Sequence, residues 1–165
     1  MPASKDKKPK ETEAPPRRRK KSKKLLPAIG WREWVSLPDL GIEKIKVKVD
    51  TGARTSALHA YRIKQFTKDN ATYVRFFVHP AQRKKIPEVE CTALVVDQRE
   101  VTDSGGKSTE RYVIRTMLVA GKYSWPIELT LTNRDEMGFR MLLGRQAVRR
   151  RFVVDPGHSY LTRIK

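Results

Sequence analysis

Lys44-Ile45-Lys46-Val47-Lys48-Val49-Asp50-Thr51-Gly52-Ala53 sets the reading of the whole chain. Ile45, Val47 and Val49 alternate with lysines, the period of a strand with one buried face. The strand ends at an acid followed by Thr-Gly. A tight turn there would present the Asp50 carboxylate at the strand end, and Gly52 would let the backbone N–H groups approach it. On these residues alone, a turn or cap role for Asp50 is the simpler reading, because Asp and Gly are ordinary turn formers.

The period of two holds across most of residues 25–165. Residues 73–78 are aromatic and β-branched, 91–96 form an apolar run of strand length, and 110–119 and 125–132 add two more strands. The polar stretch between Val101 and Glu110, with Ser104, Gly105 and Gly106, predicts a hairpin tip. Residues 145–151 alone look helical, and Asp155-Pro156-Gly157 predicts a turn before a last strand over 160–164. The expectation is an all-β domain over residues 25–165, a closed or nearly closed barrel with one short C-terminal helix. No internal repeat is visible.

Beyond the hairpin comes Met141-Leu142-Leu143-Gly144-Arg145, an apolar strand running into glycine and a short helix. Asp-Thr-Gly-Ala, a Gly-tipped hairpin and Leu-Leu-Gly-Arg follow one another in the order found in retropepsin-like aspartic proteases, and the chain resembles that family. It is most similar to a bacterial branch labelled "ATP-dependent zinc protease", through Gly30-Trp31-Arg32-Glu33-Trp34-Val35, residues 50–59 and Leu129-Thr130-Leu131-Thr132-Asn133-Arg134. The resemblance spans residues 28–161.

What the resemblance implies is specific. The fold would be the retropepsin-like barrel, and Asp50, Thr51 and Gly52 would be the catalytic loop. Carboxylate-catalysed peptide hydrolysis needs two acids sharing one proton, one to take a proton from water and one to give one. With one Asp-Thr-Gly and no repeat, two copies of Asp50 would have to meet across a homodimer axis. Thr51 would lock the paired loops, Gly52 would donate backbone hydrogen bonds, and Ala53 would keep the floor close to the substrate. Ser104, Gly105 and Gly106 would close over the substrate as a flap, and Arg145 would stand at the strand–helix junction beneath the loop, counted here with the substrate-binding residues. One position departs from the family: the residue after Asp-Thr-Gly-Ala is commonly acidic and pairs with that arginine, but here it is Arg54. A cation beside the loop would favour an acidic peptide through charge-assisted hydrogen bonds. The family's association with genes for ATP-grasp ligases that add glutamates points to oligoglutamyl peptides as well.

Charge divides the chain. Of 36 Lys+Arg and 18 Asp+Glu, residues 1–24 hold eleven cations and three acids, with four prolines and no large apolar residue except Met1. Such a segment is expected to be a disordered basic tail, able to attract nucleic acid or another polyanion by counterion release. The remainder is still cationic by ten. No apolar run reaches the roughly 18 residues that span a bilayer, and no secretion signal precedes Pro27. With the single Cys91 excluding a disulfide, a cytoplasmic protein is the natural expectation. Neither a metal nor a cofactor is expected. His59, His79 and His158 are scattered, with no His-Glu-x-x-His helix, and nothing resembles a phosphate-binding loop for ATP. The second reading is a non-catalytic barrel whose basic tail docks on RNA, a ribosome or another polyanion.

Overall fold

The computed structural model describes residues 14–16, 25–102, 105–133 and 138–164. Most of the expected tail, and Ser104 at the hairpin tip, therefore lie outside the described residues.

Strand β3 (Ile42–Asp50) buries Ile45, Val47 and Val49 as its alternation predicts. It pairs antiparallel with β2 (Arg32–Leu37) on one side and parallel with β10 (Met141–Gly144) on the other. From β10 the sheet continues through β4 (Ser56–His59), β9 (Tyr123–Thr132), β8 (Ser108–Ala120) and β7 (Val89–Thr102) to β6 (Ala71–Val78) and β5 (Tyr61–Lys68). A separate parallel pair, β1 (Ala28–Gly30) with β11 (Val153–Asp155), ties the two ends of the domain together. The fold is all-β with one short helix, as expected. Its closure is looser than a barrel: β2 also meets β8, but only at the pair Ser36–Val119. The nine-stranded sheet is thus curled around the core and touches itself at one register position. Leu58, Phe76, Ile114, Leu118, Leu129, Met141 and Leu143 fill the inside, each worth about 2 kcal/mol of removed apolar surface.

Three local outcomes differ from the expectation. Strand β5 was hidden by its exposed, charged sequence, yet Asp69 and Asn70 both adopt positive φ and close a two-residue hairpin onto β6, a turn that these residue types tolerate. Helix α1 spans only Arg145–Val148, because Arg150 turns left-handed (φ 64°) and Phe152 is drawn back into the core against Trp125 and Tyr123. No strand forms over residues 160–164. The N–H groups of Leu161 and Thr162 go to the buried Glu33 carboxylate instead of a sheet ladder.

Cys91 is buried on β7, its Sγ 3.4 Å from the Leu40 carbonyl oxygen. Burial, with Glu90 beside it, pushes its thiol up to about 12. A thiol held neutral in this way is no candidate nucleophile. No helix among the described residues is long and apolar enough to cross a membrane.

Candidate active site

Asp50 is the last residue of β3 and stands opposite Gly144 in β10. Its Oδ1 accepts hydrogen bonds from Gly52 N (3.0 Å) and Ala53 N (3.3 Å), so the turn's own backbone aims the carboxylate. A Cβ at 52 would stand 3.2 Å from that oxygen, a tight contact to which the Asp50 side chain would have to give way by a few tenths of an ångström. Among the described residues Oδ2 has no hydrogen-bond partner.

The two separated sequence motifs are one structural unit. Arg145 N donates to Ala53 O (2.7 Å) and Gln146 N to Arg54 O (3.1 Å), so the first N–H groups after Gly144 cap the loop's carbonyls. The Arg145 guanidinium donates from Nη1 to Thr51 O at 3.2 Å. It thereby supports the loop through a carbonyl, where an acidic residue 54 would have supplied an ion pair. Gly144 N donates to the buried Ser56 Oγ (2.9 Å), and a Cβ on Gly144 would lie 2.6 to 2.8 Å from the Thr55–Ser56 backbone. Backbone cannot rotate out of the way as a side chain can. Gly144→Ala is therefore expected to cost about 2–3 kcal/mol by overpacking, read as a lower midpoint in urea with an unchanged slope.

Above the loop lies an open cleft of about 660 Å³. Asp50, Gly52, Ala53 and Arg54 form one wall, Leu142 of β10 and Thr130 and Thr132 of β9 contribute to it, and residues 99–102 and Arg111 of the β7–β8 hairpin face them. The stem of the hairpin and the Asp50 loop thus line one cleft. Arg99 and Arg111 are directly opposite in the β7–β8 register. Like charges so placed repel, and Arg99 is held there by Asp97 (2.7 Å) and Glu128 (3.0 Å). The Arg99 guanidinium, with the Gln98 N–H second, keeps the Asp97 carboxyl below its usual range. The exposed Arg54 side chain makes no ion pair or hydrogen bond among the described residues.

Of the residues singled out from the sequence, Asp50, Gly52, Ala53 and Arg54 line the cleft. Thr51 is exposed beside it. Arg145 does not line the cleft; its guanidinium donates to the Thr51 carbonyl oxygen instead. Gly105 and Gly106 sit at the hairpin tip and do not line it either; Gly106 supplies the positive φ (83°) of the turn. Arg99, Arg111, Thr130 and Thr132 were not foreseen, because which face they share depends on a hairpin register that the sequence leaves open. Among the described residues no three His, Cys, Asp or Glu side chains come together as a metal site would require. His59 is buried at the end of β4, and His158 pairs with Asp155 (2.8 Å) on the surface.

Comparison with known proteins adds three findings. The family model described as "RimB-like: Retropepsin-like aspartic endopeptidase RimB" matches residues 28–165. Curated relatives named "Probable alpha-L-glutamate ligase" include one from Parasynechococcus marenigrum (strain WH8102), 51% identical over 132 residues, which are 80% of this chain and 28% of that protein. Another, from Desulfotalea psychrophila (strain LSv54), is 50% identical over 128 residues, 78% of this chain and 28% of that protein. The chain thus spans under a third of the length of these relatives. The crystal structure of a protein of unknown function (DUF785) from Legionella pneumophila subsp. pneumophila strain Philadelphia 1 superposes with a TM-score of 0.70 at 27% identity, covering 82% of this chain and 98% of that one.

Proposed function

Because the chain belongs to the RimB-like family of retropepsin-like aspartic endopeptidases, we propose that it hydrolyses peptide bonds in acidic, oligoglutamyl peptides or protein tails. The observation that carries this reading is the pairing, in one cleft, of a loop-oriented Asp50 carboxylate with Arg54 four residues away, which forms no ion pair among the described residues. The relatives' name supports the substrate class: an α-L-glutamate ligase makes peptide bonds to glutamate, and a sequence like this one is joined to each of those proteins.

The mechanism uses two Asp50 side chains from a homodimer. One carboxylate and one carboxylic acid share a proton, since two like charges at close range cannot both ionise cheaply. The carboxylate takes a proton from water, whose oxygen attacks the peptide carbonyl carbon, while the acid protonates the carbonyl oxygen. Collapse of the resulting gem-diol breaks the C–N bond. The amine leaves with the proton of one Asp50 while the other Asp50 carboxylate takes the proton of a gem-diol hydroxyl, so that a carboxylic acid product forms and the pair returns to its shared-proton state. Gly52 N and Ala53 N hold the carboxylate orientation through the cycle.

Arg54 is the cleft cation on which the preference rests, since Arg99 is already paired with Asp97 and Glu128 and the lining also includes Glu100. Oligoglutamate is expected to be cleaved with kcat/KM at least ~10-fold above a neutral peptide of equal length, a difference worth a single charge-assisted hydrogen bond. Arg54→Gln should erase most of that preference through KM. Equal or exclusive cleavage of the neutral peptide would sink the substrate assignment.

A further inference from the structure

The face of β3 that ends at Asp50 carries more than the loop. Lys44, Lys46 and Lys48 occupy the positions between the buried Ile45, Val47 and Val49, and Asp50 is the next residue of the same parity. The antiparallel partner β2 sets Arg32 opposite Lys48 and Trp34 opposite Lys46. On the other side Leu142, a wall of the cleft, is the register partner of Lys48. A row of cations therefore runs without a break into the cleft, over about 20 Å from Lys44 to Asp50 at strand pitch.

Aromatic rings lie against Lys44, Lys46 and Arg32. The Lys44 and Lys46 ammoniums stand 4.3 and 4.9 Å from the Trp34 ring centroid, and Lys46 is 6.0 Å from that of Tyr160. Tyr160 stacks on Trp34 (6.3 Å, 17°), and the Arg32 guanidinium lies between the Trp31 and Tyr160 rings, at 4.6 and 5.2 Å. Among the described residues no carboxylate forms an ion pair with Lys44, Lys46, Lys48 or Arg32. Aromatic rings hold cations without neutralising them, so this face keeps its potential and bears the repulsion of four charges.

We propose that the outer face of β2 and β3 is a binding track for the acidic polypeptide whose scissile bond lies in the cleft. The identity of that polypeptide rests on the function proposed above; the track itself rests on the row of cations. An extended chain presents side chains on one face every ~6.8 Å, the same repeat as alternate residues of β3, so successive carboxylates meet successive lysines. Single-stranded nucleic acid is the other polyanion with extended form. It binds by stacking bases on open rings, and here Trp34, though 36% exposed, already stacks on Tyr160 and has the Lys44 and Lys46 ammoniums against its ring.

The test uses the full chain carrying Asp50→Asn, so that nothing is consumed, and fluorescein-labelled oligoglutamates of four and twelve residues read by anisotropy. The twelve-residue peptide should bind at least ~10-fold tighter than the four-residue one, with a steeper salt dependence. Adding Lys44→Ser, Lys46→Ser and Lys48→Ser should remove most of that difference. Lys84→Ser, Lys85→Ser and Lys122→Ser, the same charge change elsewhere, should leave it. Equal losses in both triple variants, or no gain with peptide length, would overturn the track. Tighter binding of a twelve-nucleotide single-stranded RNA, lost with the same three lysines, would reassign the face to nucleic acid. Lysine-dependent peptide binding with no hydrolysis by the wild-type chain would refute the peptidase reading and leave the track standing.

Discussion

Asp50→Asn is expected to lower kcat/KM on oligoglutamate by at least ~10³-fold, because the amide can neither take a proton from water nor return it. The fold should hardly register the change. The Asn side chain keeps an oxygen that can accept from Gly52 N and Ala53 N, as Oδ1 does at 3.0 and 3.3 Å, so the thermal midpoint should move by a few degrees at most. Subunit mixing makes the result specific to a dyad. After exchange in an equimolar mixture of wild type and variant, about a quarter of the dimers carry two aspartates. Activity per total protein should fall to that quarter if both carboxylates are required, but only to about half if each subunit works alone. A variant that cleaves at the wild-type rate would remove Asp50 from the mechanism altogether.

Much of this site is legible in the sequence because its two halves obey local rules. The alternation of Ile45, Val47 and Val49 fixes which face of β3 is buried, and an acid with Thr-Gly after it marks a turn. Gly144 explains why Leu-Leu-Gly-Arg belongs with that turn: only a residue without a side chain lets β10 pass the Thr55–Ser56 backbone. The missing parts depend on pairings between distant segments. The curl of the sheet hangs on one pair, Ser36–Val119, and no local pattern encodes it. Arg99 and Arg111 become neighbours only once the β7–β8 register is set. Trp34 illustrates a further limit. Hydrophobicity argues for core or rim packing, as Trp125 shows at 3% exposure, but strand parity puts Trp34 outside, 36% exposed among lysines.

Glu33 is where parity and residue type conflict. It shares the inward face of β2 with Val35 and Leu37, and it is completely buried. A charge in such a place persists only where hydrogen bonds replace water. Four donors do so: Gly30 N (3.1 Å) and Leu161 N (2.9 Å) to Oε2, and Thr162 N (2.9 Å) and Thr162 Oγ1 (2.8 Å) to Oε1. One side chain thereby pins the C-terminal segment over the start of β2. Trp31, two residues earlier, accepts Val49 N through its carbonyl (2.8 Å), directly before Asp50. Glu33→Gln is nearly isosteric, yet whichever way the amide is turned its NH₂ faces a backbone N–H that loses its acceptor: Gly30 N and Leu161 N at one position, Thr162 N at the other, where the Thr162 hydroxyl can turn to accept. The expected cost is about 2–3 kcal/mol, at least one buried N–H left unpaired and the charge-assisted bonds weakened, or a midpoint lowered by roughly 10 °C. Thr162→Val removes only the hydroxyl and should cost about 1 kcal/mol. Thermal unfolding of the two variants beside the wild type separates these values. A Glu33→Gln midpoint as high as that of Thr162→Val would mean that water reaches the carboxylate and that the segment is held by packing instead.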